Sequence, residues 1–205
     1  MILTDKEIRE RCEPSVQKPL ISPFIEEHLQ GASYDISMSD TIHIFKDSVK
    51  TIRLSDQDAL NDLYEEVIIK NTPFVLRPQE YVLVTINERI SIPTNMVAHI
   101  RPRTKFTRLG IIISDQHCNP GYEGVLQLGL RNVSPNAIEL YPDLQIAQII
   151  FEQLTSETSK PYNSKATSTY QGESSFIGAR FGKHEFSPQA QDLYNKLLSG
   201  NFSNE

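Results

Sequence analysis

The segment Arg101–Asn132, RPRTKFTRLGIIISDQHCNPGYEGVLQLGLRN, carries the densest information in the chain. Its first eight residues hold four cations, Arg101, Arg103, Lys105 and Arg108. The run Gly110 to Ile113 then reads as a buried strand entered through a glycine. Asn119-Pro120-Gly121 predicts a turn, because proline presets φ and glycine tolerates positive φ. From Val125 to Leu130 the side chains alternate: Val125, Gln127 and Gly129 share one face, and Leu126, Leu128 and Leu130 share the other. The segment therefore predicts a hairpin-like unit with a guanidinium cluster at its mouth. Such a cluster suits an oligophosphate, since each guanidinium offers a planar fork of N–H donors to phosphate oxygens.

The flanking sequence is also β-rich. Val67 to Ile69, Phe74 to Leu76, Tyr81 to Ile86, Ile90 to Ile92, Ala137 to Leu140 and Leu144 to Leu154 are short apolar runs punctuated by Pro, Asn and Gly, the pattern of an all-β barrel or sandwich. Ile36, Met38, Ile42, Ile44 and Phe45 predict a strand pair reversing around Ser39-Asp40. Gln145, Gln148 and Gln153 interrupt the run before Leu154 and mark an outward face or a contact between copies. At the start, Thr4 and Glu7 stand at capping-box spacing ahead of a short helix that Pro14 ends. Ser55 to Glu66 reads as a polar surface insertion with one helical turn. From Thr155 to Gly182 the composition is polar, and this stretch is expected to take shape only against something else. Ser187 then caps a terminal amphipathic helix with Pro188 at its first position and Ala190, Leu193, Tyr194, Leu197 and Leu198 on the apolar side.

The 205 residues are most economically one domain with a substantial core. A net charge of -6 supplies no basic field for duplex nucleic acid, so an anion must be caught locally. The two cysteines, Cys12 and Cys118, lie far apart without metal-ligand spacing, and are expected to be reduced thiols. The pattern of a His or Cys with a Cys-x-x-Cys pair and a nearby Glu is absent, so no zinc centre of that kind is expected. No apolar run has the length of a membrane span and no basic-then-apolar leader opens the chain, which makes a cytoplasmic protein the expectation.

Six stretches, in order, resemble the dCTP deaminase and dUTPase family. The family's Arg-Ser-Ser-Leu-x-Arg-Leu-Gly motif stands here as Arg103-Thr104-Lys105-Phe106-Thr107-Arg108-Leu109-Gly110, and its Asp-Pro-Gly-Trp-x-Gly turn as Asn119-Pro120-Gly121-Tyr122-Glu123-Gly124. MILTDKEI at the start, ISPF at 21–24 with Gln30-Gly31-Ala32-Ser33-Tyr34-Asp35, then Pro161-Tyr162-Asn163 and Tyr170-Gln171-Gly172, are similar to the deaminase branch. The resemblance implies a mainly β, dUTPase-like distorted β-barrel of the β-clip type with a few short helices, assembled as a homotrimer with sites between subunits. It implies a domain over 1–182, with 155–182 as a nucleotide-covering tail and 183–205 as a C-terminal helical extension. The implied ligand is a deoxypyrimidine nucleotide, Mg²⁺ being compatible with its phosphates. The implied contacts are Arg103, Thr104, Lys105 and Arg108 for phosphate, with Asn119, Tyr122, Gln127, Tyr162 and Gln171 around the nucleotide.

The positions that carry proton transfer in the family differ here. Metal-free deamination needs a base to deprotonate water as it attacks C4, and the family's Glu on the strand after the turn aligns with Gly129. Hydrolysis of dUTP needs an Asp at the turn, and that position is Asn119, whose amide is not a general base at neutral pH. In the tail the family's Lys before Tyr-Gln-Gly is Thr169, and its Gln afterwards is Glu173. Asp115 is the candidate for a displaced proton carrier, against the commoner role of an Asp that bonds nearby backbone amides before a turn. Arg108 is the second catalytic candidate, and His117 a weaker proton shuttle. Ser33, Tyr34 and Asp35 read as a buried polar network. Three functions are thus open: a nucleotide binder with impaired chemistry, an active deaminase-type enzyme with a displaced acid, and a structural trimer without nucleotide.

Overall fold

The structure, a computed structural model, describes residues 1–47 and 51–198. Its elements in chain order are α1 (Asp5–Glu10), β1 (Ile21–Ser22), β2 (Leu29–Gln30), β3 (Ser33–Phe45), α2 (Gln57–Asn61), β4 (Tyr64–Ile68), β5 (Phe74–Leu76) and β6 (Tyr81–Ser91). There follow β7 (Met96–Pro102), α3 (Thr104–Arg108), β8 (Ile111–Ile113), β9 (Gln116–Cys118), β10 (Glu123–Asn132), β11 (Ile138–Leu140), β12 (Gln145–Gln153) and α4 (Pro188–Leu198). The chain divides into two compact units, one of Met1–Phe45 with Glu65–Phe176, the other of Lys46–Tyr64 with Ile177–Glu205.

The larger unit is mainly β, as expected. One curled sheet runs β8-β10-β6-β3-β12-β7-β9, with β1 on β6 and with β2 and β4 on β3, while β5 and β11 form a separate pair. Alternation of buried and less buried residues places one face of β6 and of β7 inside the curl. Val82, Val84 and Ile86 of β6, Leu126, Leu128 and Leu130 of β10, and Ile149 and Phe151 of β12 are buried in one core with Ile36 and Met38 of β3. Each such side chain contributes about 1.5–3 kcal/mol by leaving water, so the sheet curls to enclose that face. Glu7 closes the start of α1, its carboxylate accepting from the Thr4 N–H at 2.9 Å and the Thr4 hydroxyl at 3.0 Å.

Three local readings are corrected. No reversal occurs at Ser39-Asp40; β3 is one 13-residue strand whose register against β6 shifts between Met38 and Ile42. A bulge there, with the Thr41 N–H donating to Ser39 Oγ at 3.1 Å, bends the strand instead of turning it. The polar Asn87-Glu88-Arg89 does not break β6, because the buried Glu88 carboxylate accepts from the Ser37 N–H and hydroxyl. A third departure is α3, a helix within the cationic stretch, where no element was expected; Phe106 is buried beneath it and Gly110, at φ 78°, ends it.

In the smaller unit, Asp56 caps α2 by accepting from the Ala59 N–H at 3.0 Å, and Gln57 Nε2 donates to the Ala179 carbonyl at 3.1 Å. The insertion and the segment after residue 176, read separately in the sequence, thus pack as one unit. Ser187 Oγ accepts from the Ala190 N–H at 3.1 Å at the start of α4. Leu193, placed on the apolar side from sequence, is exposed. The side chains of Tyr194, Leu197 and Leu198, and residues 199–205, lie outside the described residues. No helix among the described residues is long and apolar enough to cross a membrane.

Candidate functional site

The candidate residues fall into three groups. The first surrounds α3. Arg103, just before the helix, points its guanidinium inward: Nη2 lies 3.1 Å from the Asp35 carboxylate, and Nη1 donates to Gln145 Oε1. Asp35 is itself buried, and burial pushes its carboxyl up while Arg103 pulls it down. The polar network expected around Ser33-Tyr34-Asp35 is present, with Arg103 as its cation. A guanidinium carries five N–H donors, and these two partners leave some of them for a further anion. Thr104, Lys105 and Arg108 are exposed on the helix.

The second group is the turn and the tail. Asn119, Pro120 and Gly121 form the predicted turn: the Asn119 carbonyl accepts from the Tyr122 N–H at 3.0 Å, and Gly121 has φ 81°. The tail docks on this turn. Tyr162 N–H donates to the Pro120 carbonyl at 2.7 Å, Gly172 N–H to the Glu123 carbonyl at 2.7 Å, and Val125 N–H to the Glu173 carbonyl at 2.8 Å. Two of these partners, the Glu123 carbonyl and the Val125 N–H, belong to the start of β10. Tyr162 meets Tyr122 edge-on with ring centroids 5.8 Å apart, and its hydroxyl accepts from the Tyr170 N–H at 3.1 Å. Gln171 Oε1 accepts from the Glu123 N–H at 3.3 Å. A Cβ on Gly121 would lie 2.8 Å from Asn163 Oδ1, so the close seat of the tail also depends on that glycine. The Tyr122 hydroxyl is buried without a hydrogen-bond partner among the described residues, and burial pushes its ionisation well up.

The third group lies on the face of β6 and β10 that points away from the core. Gln127 Oε1 accepts from the Thr85 hydroxyl at 2.8 Å, while its Nε2 is buried with no partner among the described residues. Segment 114–116 binds the backbone of β10 here: Ser114 N–H donates to the Gly129 carbonyl at 2.8 Å, Gly129 N–H to Ser114 Oγ at 2.9 Å, and Gln116 Nε2 to the Gln127 carbonyl at 2.6 Å. A Cβ on Gly129 would stand 2.2 Å from Tyr81 Oη and 2.8 Å from its Cζ. The Tyr81 ring therefore fills the space where a side chain at 129 would begin. Sequence reasoning missed Tyr81, although its place opposite Val82 and Val84 in the β6 alternation puts it on this face.

Asp115 sits in the same segment with its carboxylate turned to the surface, bonded to Arg101 Nη1 at 2.8 Å. His117 is exposed beside His99, with ring centroids 5.0 Å apart; burial and the His99 charge push its pKa down. Glu123 is held by Arg89 Nη2 at 2.9 Å, and that hydrogen bond keeps its carboxyl low. Both cysteines are free and buried, and burial pushes Cys12 up to about 11 and Cys118 up to about 12. Among the described residues no cluster of three or more His, Cys, Asp or Glu is placed to hold a metal ion.

Comparison with known proteins accords with this arrangement. Residues 2–154 match the family model described as dCTP deaminase-like. The chain is 34% identical over 180 residues to a dCTP deaminase of Haloarcula marismortui, covering 85% of this chain and 91% of that one. It is 34% identical over 178 residues to a dUMP-forming dCTP deaminase of Dictyoglomus turgidum, covering 84% and 91% respectively. Among solved structures, the 2'-deoxycytidine 5'-triphosphate deaminase of Agrobacterium tumefaciens aligns with TM-score 0.59 and 21% identity. That alignment covers 73% of this chain but less than half, 46%, of the other, and it speaks for the fold alone. A family match over three quarters of the sequence, on a curled sheet of the same kind, makes this chain a member of the dCTP deaminase-like family.

Proposed function

We propose that this protein binds a deoxypyrimidine nucleotide and carries out family-type deamination or pyrophosphate release poorly or in altered form. The observation that carries the reading is Gly129, which has no side chain to move a proton and whose Cβ space is taken by Tyr81. Asn119 removes the other general base, since an amide orients water without deprotonating it. Phosphate binding is supported by Arg103, Thr104, Lys105 and Arg108 grouped at α3, and coverage by Tyr162 and Gln171 at the turn. These groups stand on different elements of one chain, as expected of a site completed between copies in a homotrimer. The reading in which Asp115 replaces the missing acid has to free its carboxylate from Arg101 first.

Incubation with dCTP and with dUTP, with chromatography of the products, tests the chemistry: dUTP, dUMP or ammonia should accumulate far more slowly than with the Haloarcula or Dictyoglomus relatives. Equal turnover overturns the claim of impaired catalysis. A nucleotide that binds the native state raises its melting temperature. No shift with any deoxypyrimidine triphosphate at saturation would leave a structural trimer as the surviving reading.

A further inference from the structure

Apart from the three groups described above, the fold brings two histidines together. His99 of β7 and His117 of β9 are direct partners in the antiparallel register of those strands, flanked by the pairs Ala98–Cys118 and Ile100–Gln116. Ala98, Ile100 and Cys118 are buried, so alternation turns both histidines to the outer face, where His117 is exposed and the His99 side chain is 30% accessible. Their ring centroids lie 5.0 Å apart and the rings are inclined by 55°. Glu152 of β12, the strand on the other side of β7, sets its Oε2 3.9 Å from His99 Nε2. Arg101 stands two residues further along the same face of β7, and Asp115 at 2.8 Å takes up its charge.

An imidazole nitrogen binds zinc at about 2.0–2.1 Å, which places the metal about 3.2 Å from the ring centre. Two rings that share one ion at N–metal–N angles of about 90–110° therefore have centres about 4.5–5.2 Å apart. The observed 5.0 Å falls inside that interval with the strands as they stand. The nitrogen lone pairs lie in the ring planes, and planes inclined by 55° intersect, whereas those of parallel stacked rings do not. The pair supplies two ligands and water completes the coordination, in keeping with the absence of any cluster of three metal-binding residues among the described residues. Glu152 has the place of the carboxylate that commonly orients a metal-binding histidine through its second nitrogen: Nε2 is on the side of Glu152, which leaves Nδ1 for the ion.

We infer that His99 and His117 form a binding site for a divalent transition-metal ion of the zinc class, with Glu152 as the residue that positions His99. Imidazole nitrogen suits zinc, copper and nickel, whereas Mg²⁺ takes oxygen ligands, so this site differs in chemistry from one for Mg²⁺ on nucleotide phosphates. β9 ends the sheet and runs into the Asn119-Pro120-Gly121 turn on which the tail lies, and an ion joining β9 to β7 fixes that edge. None of this depends on nucleotide binding.

The test is isothermal titration of the full chain, first stripped with a chelator, with zinc chloride and with magnesium chloride. Zinc is expected to bind, and an excess of Mg²⁺ to leave its affinity unchanged. His99→Ala and His117→Ala should each weaken zinc binding by about a hundredfold or more, and Glu152→Gln by about tenfold while the metal-free protein melts as before. Zinc should also raise the melting temperature of the parent and lose that effect in His117→Ala, a substitution at an exposed position. No zinc binding by the parent, or an affinity and melting shift retained in both histidine variants, overturns the site. Unchanged affinity in Glu152→Gln overturns the positioning role of that residue.

Discussion

Gly129→Ala isolates the steric claim on which the reading of the third group depends. Elsewhere in a strand, Gly→Ala should stabilise by about 0.5–1 kcal/mol, because glycine loses more backbone freedom on folding. Here the new methyl would stand 2.2 Å from Tyr81 Oη, 2.8 Å from Cζ and 2.9 Å from Cε2, far inside any real carbon contact. The ring has to swing outward, losing its contact with Phe45, worth about 1 kcal/mol, and part of its burial. Forcing a group into a filled site costs typically about 1–3 kcal/mol, so the net loss should be about 1–2 kcal/mol, or roughly 2–8 °C in melting temperature for a chain of this size. In a Tyr81→Ala background the same substitution meets none of those atoms and should be neutral or stabilising. Urea unfolding followed by far-ultraviolet circular dichroism for the parent, both single variants and the double variant gives the coupling between the sites, expected near 2 kcal/mol. A parent protein unharmed by Gly129→Ala, together with a coupling below about 0.5 kcal/mol, would refute the placement of Tyr81 over Gly129.

The two arginines of the motif should behave differently. Arg103→Ala strands the buried Asp35 carboxylate and should cost about 3 kcal/mol of stability. Arg108→Ala, at an exposed position, should change stability by less than about 0.5 kcal/mol yet reduce the melting shift produced by dUTP. His43 lies buried in a stack with Phe176, centroids 3.8 Å apart, and burial pushes its pKa down against the pull of Glu66. The folded state then holds fewer protons than the unfolded chain as pH drops below the ordinary histidine value. Stability from this site is therefore full above that value and is lost as pH falls through the folded pKa. Glu88 and Asp35, pushed up by burial, act in the opposite sense, so the comparison that reads His43 alone is the melting temperature from pH 7.5 to 5 for the parent against His43→Gln. The parent should lose more, and parallel curves would refute the assignment. Tyr162→Phe removes the acceptor for the Tyr170 N–H, costing about 1 kcal/mol locally, and should speed limited proteolysis within 155–176.

Much of the architecture was legible because it depends on short-range chemistry. The turn at Asn119-Pro120-Gly121, the alternation of Leu126, Leu128 and Leu130, the Thr4–Glu7 cap and the Ser187 cap each involve residues a few positions apart, whose geometry the backbone itself imposes. The same holds in reverse where reading failed. Ser39-Asp40 looks like a reversal and Asn87-Glu88-Arg89 like a break, yet both are absorbed into strands by partners supplied from elsewhere, such as Ser37 for Glu88.

By itself, then, the sequence determined the β-rich class, the cluster of cations ahead of Gly110 and the turn at Asn119-Pro120-Gly121, since residue identity and local period suffice for those. Only the tertiary structure decided that Arg103 faces Asp35, that the tail lies on its own chain's turn, and that Tyr81 occupies the space over Gly129. Each of those contacts joins residues roughly forty to seventy positions apart, and what brings them together is strand register and the curl of the sheet, which a one-dimensional pattern does not contain.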